Sequence, residues 1–159
     1  MIPRPIAALC CFLLLATASA QTGKKSTPEE RKQWAEALHQ LEAKPENDAA
    51  LGVARHALDR LVEVDDVTIS PCAFEAFPAN YKPFKPIMFY TLALSAYQVE
   101  TGKNDSIGSN VYALRSVLKA YASELAMSPK AHDKKLDRLA KADADGQLED
   151  VVRKAGCTN

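Results

Sequence analysis

The chain has 159 residues, with 20 basic and 20 acidic side chains and a formal net charge of zero. Balanced charge leaves no field to draw in nucleic acid or an anionic membrane surface, so neither is expected as a partner. The length bounds the fold to about one domain once a leader is set aside.

That leader is Met1 to Ala20. Arg4 supplies a positive start, Ile6 to Ala16 an apolar stretch, and Ala18-Ser19-Ala20 a small-x-small cleavage site. The segment reads as a cleaved signal peptide, and the product as secreted or periplasmic. Residues 21–26 read as a flexible leader and residues 27–159 as a single helical domain. There is no second long apolar run, so no stable membrane insertion is expected after cleavage. Cleavage removes Cys10 and Cys11 and leaves Cys72 and Cys157, which in an oxidising compartment pair most simply as a disulfide. Closing a loop of 85 residues stabilises the fold by about 4–5 kcal/mol in the chain-entropy model.

The first helix opens at Thr27-Pro28-Glu29-Glu30, a capping box with proline at the first helical position. Trp34, Ala37, Leu38 and Leu41 form its apolar face, and Pro45 prevents continuation. Asn47 or Asp48 caps a second helix, with Leu51, Ala54, Leu58, Leu61 and Val62 inward and Arg55, Asp59 and Glu63 toward solvent. The short link makes the two an antiparallel hairpin. Val67 to Ile69 has strand character without a partner strand and is left irregular.

From Pro71 to Pro86 four prolines exclude a long helix and a central strand. This crossover leads into Ile87 to Val99, which is apolar except for the stripe Thr91, Ser95 and Gln98. Such a helix is surrounded by others, and the stripe is expected to be a tight helix contact rather than a polar groove. Gly102 ends it. A fourth helix is predicted from about Asn110, with Val111, Leu114, Leu118, Tyr121 and Leu125 inward. A fifth starts at Ser128-Pro129 and buries Leu136 and Leu139 lightly; a sixth places Leu148, Val151 and Val152 inward and ends at Gly156. The fold class is therefore all-α: a small antiparallel bundle or short helical-repeat array of five to six helices, with an aromatic, proline-rich crossover.

In the first hairpin Trp34, Leu38 and Leu41 are followed by Ala50, Ala54 and Ala57. In the central one Tyr90, Leu94 and Tyr97 are followed by Ala113, Val117 and Ala120. This order of large and then small residues resembles the tetratricopeptide-repeat helical hairpin, in degenerate form and without the closing prolines. The resemblance implies a protein- or peptide-binding face and no catalysis.

Direct signs of chemistry are few. His39, His56 and His132 have no histidine at i+3 or i+4, and no HExxH, CxxCH, GxSxG or phosphate-binding loop is present. His39 and His56, on adjacent helices, could meet across the hairpin. Haem between Met88 or Met127 and His132 is disfavoured, as is a calcium loop at Asp143-Ala144-Asp145-Gly146, whose positions one and twelve are Lys141 and Val152. No metal, cofactor or catalytic residue is assigned. Asn104-Asp105-Ser106 is a glycosylation sequon, relevant only in a eukaryotic source.

Six of the ten aromatics outside the leader lie between Phe74 and Tyr90. Phe74, Phe77, Tyr81 and Phe84, with Tyr90 and Tyr97, form the candidate binding surface; the competing reading is a lid packed over the bundle. The expected function is an exported, non-enzymatic helical module that binds another exported protein or a peptide. The alternative is a carrier of a small apolar ligand in a cavity lined by Trp34, Phe84, Tyr90 and Tyr97. Non-reducing peptide mapping should recover Cys72 and Cys157 in one linked fragment; separate free-thiol peptides would refute the pairing.

Overall fold

The structure is a computed structural model that describes residues 24–158. Residues 1–20, expected to be a signal peptide, residues 21–23 and Asn159 lie outside the described residues. Among the described residues there are six α-helices: α1 (Pro28–Ala43), α2 (Asp48–Leu61), α3 (Pro86–Thr101), α4 (Ser106–Met127), α5 (Lys134–Ala144) and α6 (Leu148–Lys154). One 3₁₀ turn, Phe74–Ala76, interrupts the crossover. The only β-type pairing among the described residues is an isolated bridge between Lys24 and Val64.

The centre is α3. Phe89, Tyr90 and every residue from Leu92 to Tyr97 are buried, including Ser95. Of the polar stripe only Ser95 is buried, its hydroxyl donating to the Leu92 carbonyl of its own helix at 2.7 Å. Thr91 and Gln98 are half-buried, and the Gln98 side chain accepts from the Thr68 N–H of the irregular segment at 2.9 Å. α1 and α4 pack along α3 and on each other, α2 covers α1, and α5 and α6 pack on α4.

The first hairpin follows its capping signals. Thr27 and Glu30 form the reciprocal capping box, and Asn47 accepts from the Ala50 N–H. The inward face of α2, however, is the alanine set Ala50, Ala54 and Ala57. Leu51, Leu58 and Leu61 are only partly buried, and Val62 is 87% exposed. Small residues let α2 lie close to α1, which turns Leu51 and Leu58 sideways; Leu61 lies on the alanine stripe, at the last position of the helix. Val62 caps the helix end, and the chain turns inward two residues later at Val64.

Lys24 to Ser26, expected within a flexible leader, are docked. Asp66 accepts from both the Ser26 N–H and hydroxyl at 3.0–3.2 Å and pairs with Arg31 at 2.7 Å.

α4 starts four residues earlier than its hydrophobic pattern suggests. Asp105 caps it through the Gly108 N–H, so the loop after Gly102 is short. Gly108 belongs to the first turn, where a Cβ would collide with the Asp105 carboxylate and the Tyr97 hydroxyl. Conversely α5 starts later, at the Asp133 cap, because Ser128 to Ala131 form a turn around Pro129. Leu136 and Leu139, expected to be lightly buried, are 0% and 3% exposed: the lysines and Arg138 of α5 are exposed, and Asp143, on the leucine face one turn on, is answered by Arg115 of α4.

Asn110 joins the crossover to the core. This fully buried side chain donates to the Ser70 carbonyl at 2.9 Å and accepts from the Cys72 N–H at 3.1 Å and from the Tyr90 hydroxyl. Tyr90 in turn accepts from the Ala73 N–H at 2.9 Å, and burial pushes its phenol up. Next to this knot the Cys72 and Cys157 Cα atoms are 5.5 Å apart, at disulfide distance. Asn110→Ala leaves the Ser70 carbonyl and Cys72 N–H unpaired. It is expected to cost about 3 kcal/mol, a Tm drop of roughly 10 °C. In a double-mutant cycle with Tyr90→Phe the two losses should be clearly less than additive. A loss under about 0.5 kcal/mol for Asn110→Ala would show that the knot carries little stability.

Candidate functional site

The aromatic crossover is mainly a lid. Phe77 and Phe84 are buried, and Phe77 lies against Tyr90 with ring centroids 5.1 Å apart. Phe74, 41% exposed, also packs on Tyr90, at 5.3 Å. Tyr97 is buried against Tyr112 at 5.7 Å, with its hydroxyl donating to Asp105. Of the six candidate surface residues, Phe77, Tyr90 and Tyr97 are thus part of the interior, and Phe74 is exposed on the outside of the Tyr90 contact. Tyr81 and Phe84 alone border a cleft.

That cleft, of about 780 Å³, is lined by α2 and the stretch Ala79–Lys85 of the crossover, and is partly open to solvent. On α2 it takes Leu51, Arg55 and Leu58, spaced i, i+4 and i+7, the stripe that the alanine packing turned sideways. Pro45 and Glu46 close the hairpin end, and Ile87 and Met88 contribute the entry of α3. Ile87 is 41% exposed. The aromatic wall is braced from behind: Phe84 packs on Phe89 at 4.8 Å and on Tyr81 at 5.0 Å, while the Tyr81 hydroxyl donates to the Ala131 carbonyl at 2.7 Å. Burial, then the neighbouring acidic groups, holds the Tyr81 phenol far above its ordinary range.

The cleft is positively biased. Arg55, Lys82 and Lys85 face one carboxylate, Glu46. Arg31, Arg60, Arg115 and Arg153 each pair with a carboxylate, and Arg138 donates to the Lys134 carbonyl. Arg55 is the one arginine among the described residues without such a partner. The lining contains no histidine, serine, threonine or cysteine; beside its apolar area it offers a ligand the three cations, the Asn80 amide and the Glu46 carboxylate.

The histidines lie elsewhere. His39 faces α3, not His56: its Nδ1 is 3.0 Å from buried Glu42 and its Nε2 2.7 Å from Glu100. Glu42 also meets Ser116 and Lys119 of α4, and Glu100 accepts from the Tyr112 hydroxyl at 2.7 Å. This network ties α1, α3 and α4 together. His132 pairs with Asp137 at 3.0 Å rather than with its neighbour Asp133, whose carboxylate caps α5. In the apparent calcium motif, Asp143 pairs with Arg115 and Asp145 with Lys141. Among the described residues no cluster of three or more His, Cys, Asp and Glu could hold a metal ion, and no helix is long and apolar enough to cross a membrane.

No family profile, curated protein or solved structure matches the chain significantly. The site therefore has to be read from its own geometry.

The cleft residues Leu51, Leu58, Ile87 and Met88 were not singled out by periodicity, which assigned them all to the interior. The available signal was width: Ala50, Leu51, Ala54, Ala57, Leu58 and Leu61 cover more of α2 than one packed neighbour needs.

Burial opposes charge on His39, but its hydrogen bonds to Glu42 and Glu100 outweigh it and raise the pKa above 6.5. A raised folded-state pKa means that the stabilisation is complete below the unfolded value and lost as pH rises through the folded one. The Tm gap between wild type and His39→Gln should accordingly be larger at pH 6 than at pH 9; an equal gap at both would exclude a charged His39.

Proposed function

We propose that the protein is an exported, non-enzymatic binding module that docks a segment of another exported protein, or a peptide, in the cleft between α2 and the crossover. The observation that carries this reading is a partly open cleft of mixed apolar and charged lining with a braced aromatic wall. A wall already fixed by Phe89, Tyr121 and the Ala131 carbonyl loses little entropy on binding. A partly open cleft suits a segment belonging to a larger partner, whereas a carried small molecule is normally enclosed over most of its surface. The tetratricopeptide-like order of large and small residues in the first hairpin points the same way, because the small residues of α2 are what bring its leucines to the cleft.

The carrier reading relied on Trp34, Phe84, Tyr90 and Tyr97. Trp34 and Tyr90 are 1% and 0% exposed within the packed core, and of the four only Phe84 meets the cleft.

Native mass spectrometry of the protein isolated from its source tests the proposal. A co-purifying polypeptide is expected, and Ile87→Ser combined with Met88→Ser should weaken that complex by tenfold or more, about 1.4 kcal/mol. A retained small molecule without a polypeptide would instead support the carrier.

A further inference from the structure

We propose that the cleft's occupant is an acidic peptide segment, one carrying an apolar anchor flanked by two or more aspartates or glutamates. This rests on the cleft being the binding site, and deepens that reading by assigning the partner's chemistry. The argument is complementarity between charge and shape. The chain as a whole is neutral, yet the cleft gathers three cations against one carboxylate. The cations come from both walls: Arg55 from α2, Lys82 and Lys85 from the crossover. Apolar side chains from both walls and from the start of α3, namely Leu51, Leu58, Phe84, Ile87 and Met88, line the same cleft.

A guanidinium without a partner beside apolar surface is suited to a carboxylate brought by a ligand, because its planar fork binds such a group in two-point fashion. A single-headed anionic amphiphile would satisfy one cation and leave the other wall unanswered. A peptide can place an apolar side chain between the walls and carboxylates on both sides of it. Positive charge on an open rim also steers an acidic partner toward the cleft, in a salt-dependent way.

The test begins with selection from a random twelve-residue display library on the purified protein, followed by fluorescence anisotropy of the enriched peptides. The enriched sequences should combine at least two acidic residues with a large apolar residue. Their Kd should rise tenfold or more between 50 and 500 mM salt, and by a similar factor for Lys82→Glu with Lys85→Glu. Replacing the peptides' acidic residues by lysine should restore binding to that charge-reversed variant. Both lysines are exposed, as is Ile87, so the variants should keep the wild-type thermal unfolding curve.

Neutral or basic peptides that lose affinity on Ile87→Ser would overturn the acidic assignment while leaving the cleft as a peptide site. Peptides insensitive to Ile87→Ser and to charge reversal would overturn both. Saturable binding of sodium dodecanoate in the cleft, with no peptide enriched, would overturn the peptide class in favour of a small amphiphile.

Discussion

A helix that is apolar but for one narrow stripe has to be covered over most of its circumference, and that requirement organises this protein. Eight residues of α3 between Phe89 and Tyr97 are buried, and no single partner helix can cover them all. α1 and α4 take two sides. The crossover takes much of the rest, with Phe77, Phe84 and Ala73 buried against the core. A segment rich in proline cannot satisfy its own backbone as a helix would, so its polar groups need partners elsewhere. Asn110 and Tyr90 supply them at Ser70, Cys72 and Ala73. The Cys72–Cys157 pair fixes the same point to the end of α6.

Covering α3 in this way has a consequence at the surface. The crossover packs over one end of the core but does not close against α2, whose alanines are committed to α1. The leucine stripe of α2 and the outer side of Tyr81 and Phe84 are left facing each other across the cleft. The same aromatics therefore act as lid on one side and as wall on the other. The lid function braces the wall, which is the property a preformed docking site needs.

Much of this was legible in the sequence because it depends on local signals. The Thr27 capping box, the proline at α3's first position and the C-terminal Gly102 mark helix ends within a few residues of where they fall. The buried character of α3 follows from composition alone. Sequence and structure part where two local signals compete or where the deciding contact is long-range. Asp105 and Asp133 capped more effectively than the start of the apolar pattern at Asn110 or the Ser128-Pro129 pair suggested. On α2, periodicity could not tell which of two adjacent apolar stripes would be inward; close packing against α1 selected the alanines. Asn110 looked like a helix start and is a buried hub, because its partners at Ser70 and Cys72 lie about 40 residues away. His39 likewise has its second carboxylate, Glu100, 61 residues distant.

The central claim is that the crossover belongs to the same cooperative unit as α3. Native-state hydrogen exchange on the oxidised protein tests it most directly. The Cys72 and Ala73 amides, bonded to Asn110 and Tyr90, should open with the same free energy as the amides of Leu92 to Tyr97, within about 1 kcal/mol. Exchange of Cys72 and Ala73 through a low-energy opening, while α3 stays protected up to global unfolding, would contradict it and make the crossover an independently mobile lid.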